Sequence, residues 1–400
     1  MKFSKSCCTG LVLTFGMGLA AGAASSSSGY AGNPSPVAGL ASLDLAFRFA
    51  SAIRSDPKDQ AKAQEAVLRD YLLLGADEEA ATRAQQIQGW RRGVIYAQMA
   101  ERKAQQGDEA AARDLIERAQ SVRAESAGWE VTRVDAEIAT ALAALGDLDS
   151  SRHLAQDLAA ADPRQYAGRS AATLAQGEAA LGNFDKSMEA LGQVNGETDV
   201  EIAGARTSGY LELARAKRFS KAQRLQALEA AESSTANLPS WEQVDALSEA
   251  SQLYREAGQD NRSISALKKA EEIARSLPGS ATGKIPLMAG VAQGWARLGD
   301  KTRARSLLRQ AEPAIANALD IDRPAAYARL ASAWRAVGDS KQSDRLMTLA
   351  IATAESLANA RPRALSAVDI CRSLGRDGVE PDSSTRGRLE SLLANLKDPW

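Results

Sequence analysis

The sequence predicts an all-α protein, a superhelical solenoid of about eight to nine helix-turn-helix repeats. Three observations lead there. A Gly-Asp or Gly-Asn turn recurs along the chain, bulky apolar residues stand four and eight positions before it, and a small residue stands five after it. Positions four apart share one face of a helix, so the first pair marks a buried stripe. The small residue marks a second helix that lies close against the first. With only 5% aromatic residues, such a core is built from Ala, Leu, Val and Ile.

The chain begins with Lys2 and Lys5, an apolar run from Leu11 to Ala21, and the small residues Ala21 and Ala23 spaced for cleavage. This is the pattern of a secretory signal peptide over residues 1–23. The run is too short and Gly-rich to span a membrane, which takes roughly 20 apolar residues. Cys7 and Cys8 precede it, so cleavage would leave Cys371 as the one thiol and no internal disulfide. Residues 24–39 are rich in Ser, Gly and Pro and read as a flexible linker. Residues 40–57 are expected to form an N-terminal capping helix that stops at Asp56-Pro57.

The repeat array is placed at 58–376. Its turns are expected at Gly75, Gly107, Gly146, Gly182, Lys217, Gly258, Gly299, Gly338 and Gly375, spaced by 32 to 41 residues. Tyr71, Leu142, Leu213, Tyr254, Trp295, Trp334 and Cys371 precede these turns by four; Lys103 and Glu178 break the apolar run. Five after the first eight turns come Ala80, Ala112, Ser151, Ser187, Ala222, Ser263, Ala304 and Ser343, all small. Glycine ends the first helix in a left-handed conformation, and the following Asp or Asn is placed to cap the second. In the fifth unit Gln226 and Glu229 stand where apolar residues are expected, which shifts its second helix toward Leu225 and Leu228. Residues 377–400 read as a C-terminal capping helix and tail.

These residues, most fully in Leu330…Trp334…Gly338-Asp339…Ser343…Met347…Ala350, resemble the tetratricopeptide repeat. The resemblance implies that first helices line a concave groove that takes a peptide or protein segment. Two or three residues before the turns, the later units carry Arg215, Arg255, Arg297, Arg335 and Arg372. Gln176, Gln252 and Gln293 stand six before theirs. Guanidinium forks suit carboxylates, so an acidic segment is the expected partner. Arginine near a helix C-terminus also offsets the helix dipole without any ligand.

Other chemistry finds little support. Lys plus Arg is 49 against 50 for Asp plus Glu, so a nucleic-acid partner held by bulk charge is disfavoured. His153 is the one histidine, which leaves no metal site, no catalytic triad and no cofactor expected. Gly279 to Lys284 has the wrong glycine spacing for a phosphate loop. Adjacent acids such as Glu271-Glu272 and Glu78-Glu79 point to different sides of a helix. The expectation is an exported, non-enzymatic protein-interaction scaffold of the periplasm or cell envelope. The alternative is an exported α/α-toroid carbohydrate-active enzyme, a glycosidase or polysaccharide lyase.

Overall fold

A computed structural model describes residues 37–54, 56–161, 163–193, 199–277 and 281–397. The expected signal peptide and all but the last three residues of the expected linker lie outside them. The described residues form nineteen α-helices and no strand. In chain order these are α1 (Leu40–Ala52), α2 (Pro57–Leu73), α3 (Asp77–Ala84), α4 (Trp90–Gln105), α5 (Glu109–Ala124), α6 (Trp129–Ala144) and α7 (Leu148–Ala161). Then come α8 (Pro163–Ala180), α9 (Phe184–Gly192), α10 (Val200–Arg215), α11 (Lys221–Ser234), α12 (Ser240–Glu256) and α13 (Asp260–Ser276). The last six are α14 (Ala281–Arg297), α15 (Lys301–Ala311), α16 (Arg323–Ala336), α17 (Ser340–Ser356), α18 (Ala360–Arg376) and α19 (Ser383–Ala394). No described helix is long and apolar enough to cross a membrane.

The turns form as the pattern predicts, with one lengthened and one shifted. Gly75, Gly107, Gly146, Gly182, Gly258, Gly299 and Gly338 all have positive φ. The amide after each donates to the carbonyl five residues back, as Asp300 does to Trp295 and Asp339 to Trp334, both at 3.0 Å. Asp108, Asp147, Asp300 and Asp339 then cap the helices that follow. Ala80, Ala112, Ser151, Ser187, Ser263, Ala304 and Ser343 are fully buried. The Ser151 and Ser263 hydroxyls also donate to the first-helix carbonyls of Ala139 and Ser251, at 2.8 and 2.7 Å.

The fifth turn falls at Lys217 but runs two residues longer than the others before the next helix is capped. Phe219 is buried against Phe184, ring centroids 5.2 Å apart, and Ser220 caps α11 in a capping box with Gln223. Ala222 is consequently exposed, and Ala227, Leu228 and Ala231 carry the buried face. The ninth turn is Gly378, φ 65°, with Val379 donating to Leu374; Gly375 is helical, inside α18. Leu374 therefore takes the stripe position expected of Cys371, which is buried one turn earlier.

The even-numbered helices from α2 to α18 pack side by side, and each odd-numbered helix from α3 to α17 packs against its predecessor as an outer layer. The ends of the array meet. Helix α18 packs against α2 as well as α16, and α1 lies across α18 and α2 as the outer helix of the ninth unit. The amide of Gly39 donates to Glu380 at 2.9 Å, and the Ser42 hydroxyl donates to the Val379 carbonyl at 2.7 Å. A Cβ on Gly39 would lie 2.3 Å from the Gly375 carbonyl oxygen, and one on Gly375 would lie 2.5 Å from Leu43. At the inner edge Asp70, 1% exposed, accepts from Arg372 at 2.6 Å and from Arg376 at 2.7 Å. The solenoid is thus closed into a ring of nine helix pairs. Helix α19 lies against α17, α18 and α1, burying Leu389 and Leu392.

Two outcomes test this. Asp70→Ala leaves two partly buried guanidinium groups without their acid and should cost about 3 kcal/mol in denaturant unfolding. An expanded small-angle scattering profile should accompany it. Ala304→Trp should cost ~1–3 kcal/mol through overpacking, whereas Ala222→Trp should be neutral. Equal effects would refute the shifted register of the fifth unit.

Candidate functional site

The inner helices present charged side chains to the lumen, and their partners show how narrow it is. Gln176 on α8 donates to Glu101 on α4, reaching past α6. Arg69 on α2 acts electrostatically on Glu137 of α6, and Arg329 on α16 acts on Asp245 of α12. Glu212 on α10 is close enough to Glu101 to disfavour its charge.

Each arginine expected in the groove has a definite place. Arg215 pairs with Glu249 of α12. Arg255 donates to the Arg297 carbonyl at 2.7 Å, covering the end of α14. Arg335 is 3.5 Å from the exposed Asp344. Arg372 belongs to the closing seam with Asp70. With the ninth turn at Gly378, Arg376 holds the ladder position and Arg372 stands level with the glutamines. Arg297 has no acidic partner among the described residues; dehydration by surrounding protein disfavours its charge. Arg329, which the sequence pattern did not single out, is in a similar state. Dehydration first and then Arg376 and Arg372 disfavour its charge, with Asp369 and Asp70 opposing.

The glutamines serve different neighbours. Gln176 holds Glu101, and Gln252 donates to Glu256 on its own helix at 3.1 Å. Gln293 donates to Ser332 at 2.9 Å, and Ser332 donates to Asp377 at 2.6 Å. That chain links α14, α16 and the ninth turn.

The acids of the lumen went unnoticed in the sequence. Glu101 is pushed up to about 7, first by burial and then by Glu212; the Gln176 amide opposes this. Asp245 is pushed up to about 6 by burial, with Glu249 adding and Arg329 opposing. Glu212 is exposed on the lumen wall, yet dehydration there, with Glu249 and Glu137, still outweighs Arg215 and raises it. Glu137 differs: burial pushes it up, but Arg169 and Arg69 outweigh that and hold it below the ordinary carboxylate range. Burial therefore outweighs the nearest cations at Glu101, Glu212 and Asp245, on α4, α10 and α12. Arg297 and Arg329 stand on the neighbouring α14 and α16, with Arg329 in electrostatic reach of Asp245, Asp369 and Asp70.

Glu271 is buried and accepts from Trp295 at 2.7 Å, Arg303 at 2.6 Å and Arg275 at 2.9 Å, while Glu272 is exposed. His153 is exposed and 3.1 Å from Asp157. Burial pushes the Cys371 thiol up. Trp295 and Trp334 fill the wall, whereas Trp90, Trp129 and Trp241 lie at the start of their helices, at one rim. Among the described residues no cluster of His, Cys, Asp or Glu is arranged to hold a metal.

No protein-family signature matches the sequence, and no curated protein does. Solved structures do. A tetratricopeptide repeat protein from Parabacteroides merdae is 14% identical over 69% of this chain and 97% of its own, TM-score 0.27. A circular tandem repeat protein is 16% identical over 90% and 96%, TM-score 0.29. NprR in complex with its cognate peptide NprX is 11% identical over 80% and 94%, TM-score 0.29.

The lumen makes a pH prediction. Glu101 binds its proton more tightly folded than unfolded, so its stabilising contribution is full below pH 4.5 and is lost as pH rises through 7. The loss is at most about 3 kcal/mol for a shift of that size. Glu101→Gln keeps the neutral form, so it should be more stable than wild type at pH 8 and nearly equal at pH 4.5. The reverse order in urea titrations would refute the lumen placement of Glu101.

Proposed function

We propose that the chain is an exported protein-interaction scaffold whose ring takes a charged segment of a partner protein into its lumen. The observation that carries this is incompletely compensated charge on the wall: the Arg297 guanidinium has no acidic partner among the described residues, and burial outweighs the opposite charges within reach of Arg329, Glu101 and Asp245. Dehydrating an ion without a partner costs free energy, and a ligand that supplies the counter-charge recovers it. An acidic stretch meets the α14–α16 sector, and an amine or guanidinium alongside it meets the carboxylates. Recognition then needs no chemistry, because the groups are already held by closed packing. Export rests on the basic, apolar and small-residue pattern of residues 1–23.

A second reading has one observation in its favour. Glu101 is held protonated to about pH 7 while Glu137 is held ionised, the separation an acid and a base need for hydrolysis. Against it, Trp295 and Trp334 are buried in the wall, and the contact between Trp90 and Trp129 at the rim is edge to face, ring centroids 5.3 Å apart, rather than a flat platform.

The test is affinity capture from envelope extract with residues 24–400, beside Arg297→Glu/Arg329→Glu and Glu101→Gln variants of equal helicity. A partner retained by wild type and lost by the double variant supports the scaffold. An identical catch from wild type and double variant overturns the lumen as its site. Release of sugars from envelope polysaccharide that Glu101→Gln abolishes would favour the enzyme.

A further inference from the structure

The outer wall carries a hollow that the repeat pattern does not account for. Helix α15 has 11 residues, whereas the outer helices before and after it, α13 and α17, have 17 each. Pro313 follows, and a 3-10 turn over Glu312–Asn317 replaces the missing length. The shortfall leaves a hollow of about 490 Å³ between this turn, α16 and α17, within the size range of small-molecule sites.

Its floor is apolar: Ile315, Tyr327 and Leu349 line it. Its rim is basic. Arg345 is committed to Glu312 and Gln342, and Arg323 to Asp320 and the carbonyls of Ala316 and Ala318. Arg309, exposed on the same rim, has no partner among the described residues. The loop joining Ala316 to Arg323 exposes Leu319 at 66% and Ile321 at 55%, side chains that leave apolar surface open beyond the hollow.

We propose that this hollow binds a small amphiphilic carboxylate. Its apolar body rests on Ile315, Tyr327 and Leu349 and extends toward Leu319 and Ile321, and its carboxylate takes the fork of Arg309. The charge complementarity selects the sign, because the one uncommitted ion at the rim is a cation. The single fork selects a monoanion, since the other two guanidinium groups already have acids. The site is independent of the lumen and of the scaffold reading.

Calorimetric titration of decanoate, decanol and decylamine into the full chain tests it. Decanoate should bind saturably, with decanol and decylamine at least about tenfold weaker, as expected for losing one charge-assisted hydrogen-bonded pair. Arg309→Glu should weaken decanoate to the same degree. Ala316→Trp, at an exposed lining position, should fill the hollow and abolish binding with helicity unchanged. Arg297→Glu in the lumen should leave binding intact. Absence of saturable decanoate binding, equal affinity for decanol, or binding that survives Ala316→Trp would each overturn the proposal.

Discussion

The carboxylate of Asp70 joins residues some 300 positions apart, and the form of the whole protein follows from that closure. A stack of helix pairs has two unsatisfied ends, each exposing an apolar stripe that must be covered. Here the ends cover each other. Helix α1 supplies the outer helix that the ninth unit lacks, and the approach is close because Gly39 and Gly375 carry no Cβ where their backbones meet. On the inner side Asp70 is taken out of water between Arg372 and Arg376. Such a triad contributes little net free energy relative to an apolar replacement, but it is severe toward any arrangement that separates its members. It therefore acts mainly on register: the ring closes with α2 beside α18, or the acid is left stranded.

Closure changes what the inner side chains experience. On an open superhelix, carboxylates at the concave face would be solvated and screened from one another. Inside a ring they lose water and face charges two and three units away, which is why Glu101 senses Glu212 and Asp245 senses Arg329. The raised protonation of Glu101 and the disfavoured charge of Arg329 have the same origin. At both, loss of water outweighs the opposite charges within reach, Arg169 for Glu101 and Asp369 and Asp70 for Arg329.

What could be seen in the sequence was local. The Gly turn, the stripe four residues before it and the small contact five after it all lie within one helix pair, and periodicity exposes them. The lengthened fifth turn and the displaced ninth have non-local causes. At the fifth, burial of Phe219 against Phe184 of the preceding unit adds two residues between Lys217 and the cap of α11. At the ninth, two glycines stand three apart; Gly375 is needed for approach to α1, so Gly378 makes the turn. No pattern within a repeat could reveal that the partner of Arg372 is Asp70, or that the α8 amide of Gln176 serves α4. The arginine ladder was visible because arginines recur near the helix ends. The lumen acids were not, because Glu101, Glu137 and Asp245 occupy different heights on different helices and share no spacing.

Regular repeats build the wall, and sites arise where the regularity gives way. An array of identical units would present the same inner residue at each step and the same covered groove outside. The lumen gains its uneven charges only because its units differ at the inward positions, with Glu101, Glu137 and Asp245 on α4, α6 and α12 and Arg169, Arg297 and Arg329 on α8, α14 and α16. The outer wall gains a hollow only because Pro313 stops one outer helix early. Both departures leave the buried small contacts intact: Ala304 and Ser343, on either side of the hollow, are fully buried. Function is thus free to vary at inward and outward positions, provided that the close contact between paired helices and the seam at Asp70 are kept.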